Sequence, residues 1–110
     1  MKKKEKFLGN RELQKIIKAV KLLKARRVIL FGSQLGNKKR PNDIDLCILT
    51  KEEIDPLEFQ TQFRLKLWEI GYEWDWPLDL HVFSERTFNE RNLLGDPFIK
   101  EIKRGVILYG

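Results

Sequence analysis

Three carboxylates stand in two short stretches that otherwise read as buried strand. In "NDIDLCILT" Asp43 and Asp45 are one residue apart at the head of an apolar run, and in "LDLHVF" Asp79 lies between Leu78 and Leu80. Side chains alternate across a strand, so Asp43, Asp45 and Cys47 share one face, and Ile44, Leu46 and Ile48 the other. Two strand steps place the first two carboxylates roughly 7 Å apart. At that separation they repel, and apolar neighbours raise the cost of keeping them charged. A cation or a solvated cleft relieves that cost. Asp79, His81 and Phe83 likewise share a face, opposite Leu78, Leu80 and Val82. If the two strands are neighbours, Asp79 joins Asp43 and Asp45 in one acidic cluster. Such a cluster suits Mg²⁺, which keeps several waters and takes its remaining ligands from phosphates. With one or two ions bound, it supports in-line phosphoryl or nucleotidyl displacement. The same letters also fit an acidic turn at a strand start. An EF-hand is excluded, because the positions that would supply the next ligand and the required Gly hold Cys47 and Ile48.

A second feature lies just upstream. "RVILF" ends at Gly32, and Ser33 follows. Glycine lets a backbone approach a ligand closely, a strand-to-turn junction can aim N–H groups at an anion, and the Ser hydroxyl can bond a phosphate oxygen. Lys38, Lys39 and Arg40 add positive charge in the loop. This is not a Walker A loop, since G-x-x-x-x-G-K-[ST] does not occur. A tight turn with a solvated basic loop remains the competing reading of these residues alone. Taken together, a phosphate-holding turn and a carboxylate pair joined by one loop would bring a triphosphate and its metal to one place.

These residues need elements to hold them. Residues 1–6, "MKKKEK", read as a disordered basic tail. Asn10 is placed to cap a helix over about 10–25, with Glu12 in its first turn and Leu13, Ile16, Ile17, Val20 and Leu23 at helical spacing. Strands are predicted at 27–31, 43–50, 78–83 and 106–109. Pro56 opens a helix that Gly71 stops, Ser84 caps another through "ERTFNERNLLG", and Asp96-Pro97 begins a last one ended by Gly105. Helices and strands alternate, so the class is α/β or α+β with a mixed sheet.

The 110 residues fit one domain with its own core. The net charge of +6 draws polyanions such as nucleotides, nucleic acid, acidic lipid or an acidic partner, although a solvated basic surface explains it equally well. Cys47 is the lone cysteine, so an intrachain disulfide is excluded; in an apolar run it reads as a small buried hydrophobe. The basic start is followed by no signal-peptide core, and no apolar run is long enough for a membrane span. The chain therefore reads as cytoplasmic. In "WEIGYEWDWP" Trp68, Tyr72, Trp74 and Trp76 read as core packing and strand-edge cover before a base-stacking or partner surface, and His81, on the face of Asp79, as a structural, hydrogen-bonded histidine before a residue that approaches the site.

The pattern "LFGS…NDIDLCIL" with the later "LDLHVF" resembles the minimal nucleotidyltransferases of the DNA polymerase beta-like superfamily, and the ending "DPFIKEIKRGVILYG" is also typical. The resemblance implies a small mixed sheet with helices mainly on one side. It implies that Gly32 and Ser33 bind the phosphates of ATP or another nucleoside triphosphate. It further implies that Asp43 and Asp45 bind Mg²⁺ and that Asp79 completes the site and activates an acceptor hydroxyl. "GSQLG" lacks the arginine common in this loop and is one residue shorter, which leaves Lys38, Lys39 or Arg40 to supply the charge. Many members pair with a HEPN-domain protein as toxin and antitoxin and add AMP to the toxin. The expected function is therefore Mg²⁺-dependent transfer of AMP from ATP to a protein partner. A domain this small lacks the extra helical domain with which larger nucleotidyltransferases hold their acceptors, so the acceptor is expected on another chain. The alternative is a catalytically inactive module that neutralises a partner or binds RNA through its basic surface. Transfer to a small molecule would require a pocket formed by a homo-oligomer.

Overall fold

A computed structural model of the chain describes residues 10–32, 44–74 and 77–110. Helix α1 (Asn10–Leu22) leads into strand β1 (Arg27–Phe31) and then β2 (Ile44–Thr50). Helix α2 (Pro56–Ile70), strand β3 (Leu78–Ser84), helices α3 (Glu85–Leu93) and α4 (Pro97–Lys103), and strand β4 (Val106–Tyr109) follow. The strands form one sheet in the order β3-β2-β1-β4. Strand β1 is antiparallel to both β2 and β4, whereas β2 and β3 are parallel, the crossover between them being made by α2. The sheet is thus mixed, as the alternation of elements predicts.

The two faces are packed separately. On one face Val28, Ile44, Leu46, Ile48, Leu80 and Val82 meet α1 and α2, which contribute Ile16, Val20, Phe59, Phe63 and Leu67. This is the larger core, and it carries the two long helices, in line with helices mainly on one side. The short helices α3 and α4 cover part of the other face, where Phe88, Ile99 and Ile102 pack on Ile29, Phe31, Cys47 and Leu49. The alternating strand pattern accounts for this division: β1, β2 and β3 each send odd positions to one layer and even positions to the other.

Helix ends follow local chemistry. Asp55, Ser84 and Asp96 each accept a bond from a first-turn N–H, from Leu57, Thr87 and Phe98 at 3.0, 3.0 and 2.9 Å. Gly71, in the left-handed region at φ 97°, closes α2. Helix α1 already includes Asn10, the residue expected to cap it, and stops three residues before the expected end. Its stop is a Schellman turn in which Lys24 takes φ 60° and Ala25 N–H donates to the Val20 carbonyl at 3.0 Å. No glycine marks that turn, which is why the spacing alone overran it.

Arg91 ties this second layer together. Its guanidinium donates to Asp96 at 2.7 Å through Nε and approaches the same carboxylate through Nη2, while its carbon lies 4.9 Å from the centre of the Phe83 ring. The Arg91 bond, helped by the Phe98 N–H, holds the Asp96 carboxyl below the usual carboxylate range. A carboxyl depressed in the folded state adds stability that is present above its unfolded pKa, about 3.9, and is lost as the pH falls through the folded value. In thermal melts Asp96→Asn should therefore melt below wild type at neutral pH, and the two should converge as the solution is acidified below about pH 4. A gap that stays constant with pH would remove the ionised Asp96 as its cause.

Candidate active site

Asp45 leaves the second position of β2, between two neighbours set by register: Phe31 of β1 on one side and Asp79 of β3 on the other. The pairing of Asp45 with Asp79 is direct, so the carboxylates that the sequence placed on matching faces stand side by side at one end of the sheet. They differ in exposure. Asp45 is half-buried, whereas the Asp79 side chain is 65% exposed.

Gly32 passes directly over Asp45. Its φ is +81°, a left-handed conformation that other residues adopt only with strain, and a Cβ there would overlap Asp45 Oδ2 and lie 3.0 Å from its Cγ. Glycine is thus required twice at this point, by the backbone turn and by the carboxylate beneath it.

His81 follows Asp79 by two residues on the same face. Its Nε2 lies 3.4 Å from Asp79 Oδ2. Its ring sits 5.6 Å from the Phe31 ring and 5.0 Å, edge-on, from Phe98 of α4, while Phe31 and Phe98 are themselves 5.8 Å apart. These rings form an apolar floor beside the carboxylates. Cys47 pairs in register with His81 and is fully buried. Burial pushes its thiol up to about 12, so it stays protonated and packs as the small hydrophobe expected of it, without nucleophilic or ligand character.

Asp45, Asp79 and His81 each offer one ligand atom, all within 4.8 Å of one another. Carboxylates with a neutral imidazole form a donor set that divalent cations accept. The missing Cβ of Gly32 leaves room for the Asp45 carboxylate, and the closeness and chemistry of the three donors fit a metal. Of the residues singled out from the sequence, Gly32, Asp45 and Asp79 are brought together here. Asp43, Ser33, Lys38, Lys39 and Arg40 lie outside the described residues. His81, which shares a face with Asp79 and reads from the sequence first as a structural, hydrogen-bonded histidine, stands beside the carboxylates. In the aromatic segment Tyr72 is buried and meets Trp74 edge-on at 4.8 Å, as expected for packing, but Trp68 is 71% exposed.

The chain matches the family described as nucleotidyltransferase domain over residues 13–109. Among solved structures it is similar to one titled "Crystal structure the toxin-antitoxin MntA-HepT", with a TM-score of 0.53 and 19% identity over 93% of this chain and 73% of that chain. At that identity the likeness is one of fold. No curated protein matches. Among the described residues, no helix is long and apolar enough to cross a membrane.

Gly32→Ala adds both the strain of a left-handed alanine and the overlap with Asp45. It should lower stability by about 1–3 kcal/mol and weaken divalent-ion binding with it. Melting curves and calorimetry with MgCl₂ measure the two effects. Unchanged ion binding would show that the Asp45 carboxylate does not depend on the Gly32 turn.

Proposed function

The chain belongs to the nucleotidyltransferase domain family, and from that premise we propose that it transfers AMP from ATP to a hydroxyl on a partner protein of the HEPN type, acting as an antitoxin. The observation that carries the proposal is the direct register of Asp45 with Asp79 beneath the Gly32 turn. In this reading the chain works as a single nucleotidyltransferase-like domain. Asp43, Asp45 and Asp79 would hold Mg²⁺, as one or two ions, which neutralises charge on the triphosphate. Gly32 and Ser33 hold its phosphates, with Lys38, Lys39 and Arg40 adding positive charge.

The chemistry then falls to positioned side chains. Asp79, open to solvent, takes the proton of the acceptor hydroxyl. The acceptor oxygen bonds to the α-phosphorus as the bridging P–O bond to the β-phosphate breaks, and pyrophosphate leaves. The Phe31, His81 and Phe98 rings fix the floor of the site, so that little reorganisation remains at the moment of transfer. A protein acceptor is supported by the outer face of α2, where Leu57, Leu65 and Trp68 are 72%, 52% and 71% exposed at helical spacing. It is supported too by the toxin-antitoxin pair among the similar structures.

Incubation with α-phosphate-labelled ATP, Mg²⁺ and lysate of the source organism tests the reading. Wild type should label a protein band, and Asp45→Asn should reduce the label at least about a hundredfold, roughly 2.7 kcal/mol of barrier. A melting temperature close to that of wild type would show that the lost label is not a loss of folding. Equal labelling by both proteins would reject the role of Asp45. No label from either, with ATP·Mg²⁺ binding also absent, would favour the inactive binding module. Ser33→Ala should weaken ATP·Mg²⁺ binding about tenfold in calorimetry, the loss of one hydrogen bond to a charged oxygen; an unaltered affinity would reject the phosphate role.

A further inference from the structure

The placement of His81 goes further than the carboxylate site requires. Its Nε2 is 3.4 Å from Asp79 Oδ2, and Asp45, Asp79 and His81 each bring one ligand atom within 4.8 Å of the others. A charge-assisted hydrogen bond between an imidazolium and a carboxylate is shorter, about 2.7–2.9 Å. Two ligand atoms bound to one ion at about 2.0–2.2 Å, at tetrahedral to octahedral angles, stand roughly 2.8–3.6 Å apart. The 3.4 Å between His81 and Asp79 falls in that range, and the Asp45 ligand atom within 4.8 Å completes the set. The ring is also held in place by its neighbours, tilted on Phe31 and edge-on to Phe98, so the nitrogen need not be recruited by a large rotation.

The geometry points to His81 Nε2 as a nitrogen ligand to the divalent cation held by Asp45 and Asp79, which makes the site selective for Mn²⁺ and later first-row ions over Mg²⁺. This rests on the nucleotidyltransferase reading and refines which ion that site takes. Mg²⁺ is hard, prefers oxygen ligands throughout and gives up water reluctantly. An imidazole nitrogen suits the first-row transition ions better. Mn²⁺ is the member of that series nearest to Mg²⁺ in its liking for oxygen, so it is the most demanding comparison. A ring that is also part of the packed floor explains why the ligand is rigid: Phe98 arrives from α4, whose first turn is fixed by the Asp96 cap and its bond to Arg91.

The test uses Mn²⁺ alone, in the full chain, read by electron paramagnetic resonance. Wild type should bind Mn²⁺ at least about tenfold more tightly than it binds Mg²⁺ in competition, about 1.4 kcal/mol. The bound ion should show ¹⁴N coupling in electron spin-echo spectra. His81→Phe keeps a ring against Phe31 and Phe98 and removes the nitrogen. It should fold, lose the ¹⁴N coupling and bind the two ions with similar affinity. His81→Asp, with an oxygen ligand restored, should shift the preference toward Mg²⁺. If wild-type Mn²⁺ binds in an Asp45-dependent way without ¹⁴N coupling, or if His81→Phe retains the preference, the assignment of His81 is overturned and the nucleotidyltransferase reading stands. If neither ion binds wild type, with or without ATP, both are overturned together.

Discussion

Two carboxylates side by side in neighbouring strands repel, and the sheet must hold them there against that repulsion. Adjacent strands lie about 4.8 Å apart, and at an effective dielectric constant of 20 two unit charges at that distance cost roughly 3 kcal/mol. Water around the exposed Asp79 reduces the figure further. Against it stands the apolar ladder of the same strand pair. Ile44, Leu46 and Ile48 of β2 register with Leu78, Leu80 and Val82 of β3, all buried. At about 1.5–3 kcal/mol for each buried side chain, the ladder outweighs the repulsion several-fold, even allowing for a compact unfolded chain. The acidic pair is therefore a local cost imposed by a register that the opposite face enforces, because sliding the strands to separate the carboxylates would misalign the ladder.

The second layer converts that register into a shaped site. Helices α3 and α4 cover the Ile29, Cys47 and Leu49 part of the face and bring Phe98 to the edge of the carboxylate end. Phe98 lies in the first turn of α4, whose cap, Asp96, is held by Arg91 from the end of α3. Gly105, just beyond α4, has its α-carbon so close to the Leu30 carbonyl that a Cβ would overlap it, which lets the chain enter β4 tight against β1. A run of ordinary local devices thus fixes the aromatic floor.

Much of this was legible in the sequence. Alternation gave the correct faces for Asp45, Asp79 and His81, and the pattern with its turn and capping residues gave every strand and all four helix starts within a residue. The register was not legible. A parallel pair joined through α2 has no short turn to set it, so nothing in "DIDL" and "LDLH" says that Asp45 meets Asp79 and not its neighbour. Nor could the sequence show that Phe98 closes on His81, since the contact joins distant elements. Helix α2 hid its surface for a different reason: Phe59, Phe63 and Leu67 are its buried face and Leu57, Leu65 and Trp68 its exposed one, so apolar residues ring much of the helix and the periodicity does not separate core from surface.

The unequal environments of the two carboxylates matter more than their number. Asp45 is half-buried under Gly32, flanked by Phe31, and has little room to move. Asp79 is mostly exposed, with one oxygen toward His81. A group held that tightly is suited to fixing an ion in one place, because its geometry does not relax when the ion leaves. In the proposed transfer, a group open to solvent is suited to exchanging protons with an incoming hydroxyl, because it meets both the reactant and water. Environments that separate two chemically identical groups are how one site performs two tasks. Here the separation is built from backbone: a glycine above one aspartate and an edge strand beneath the other.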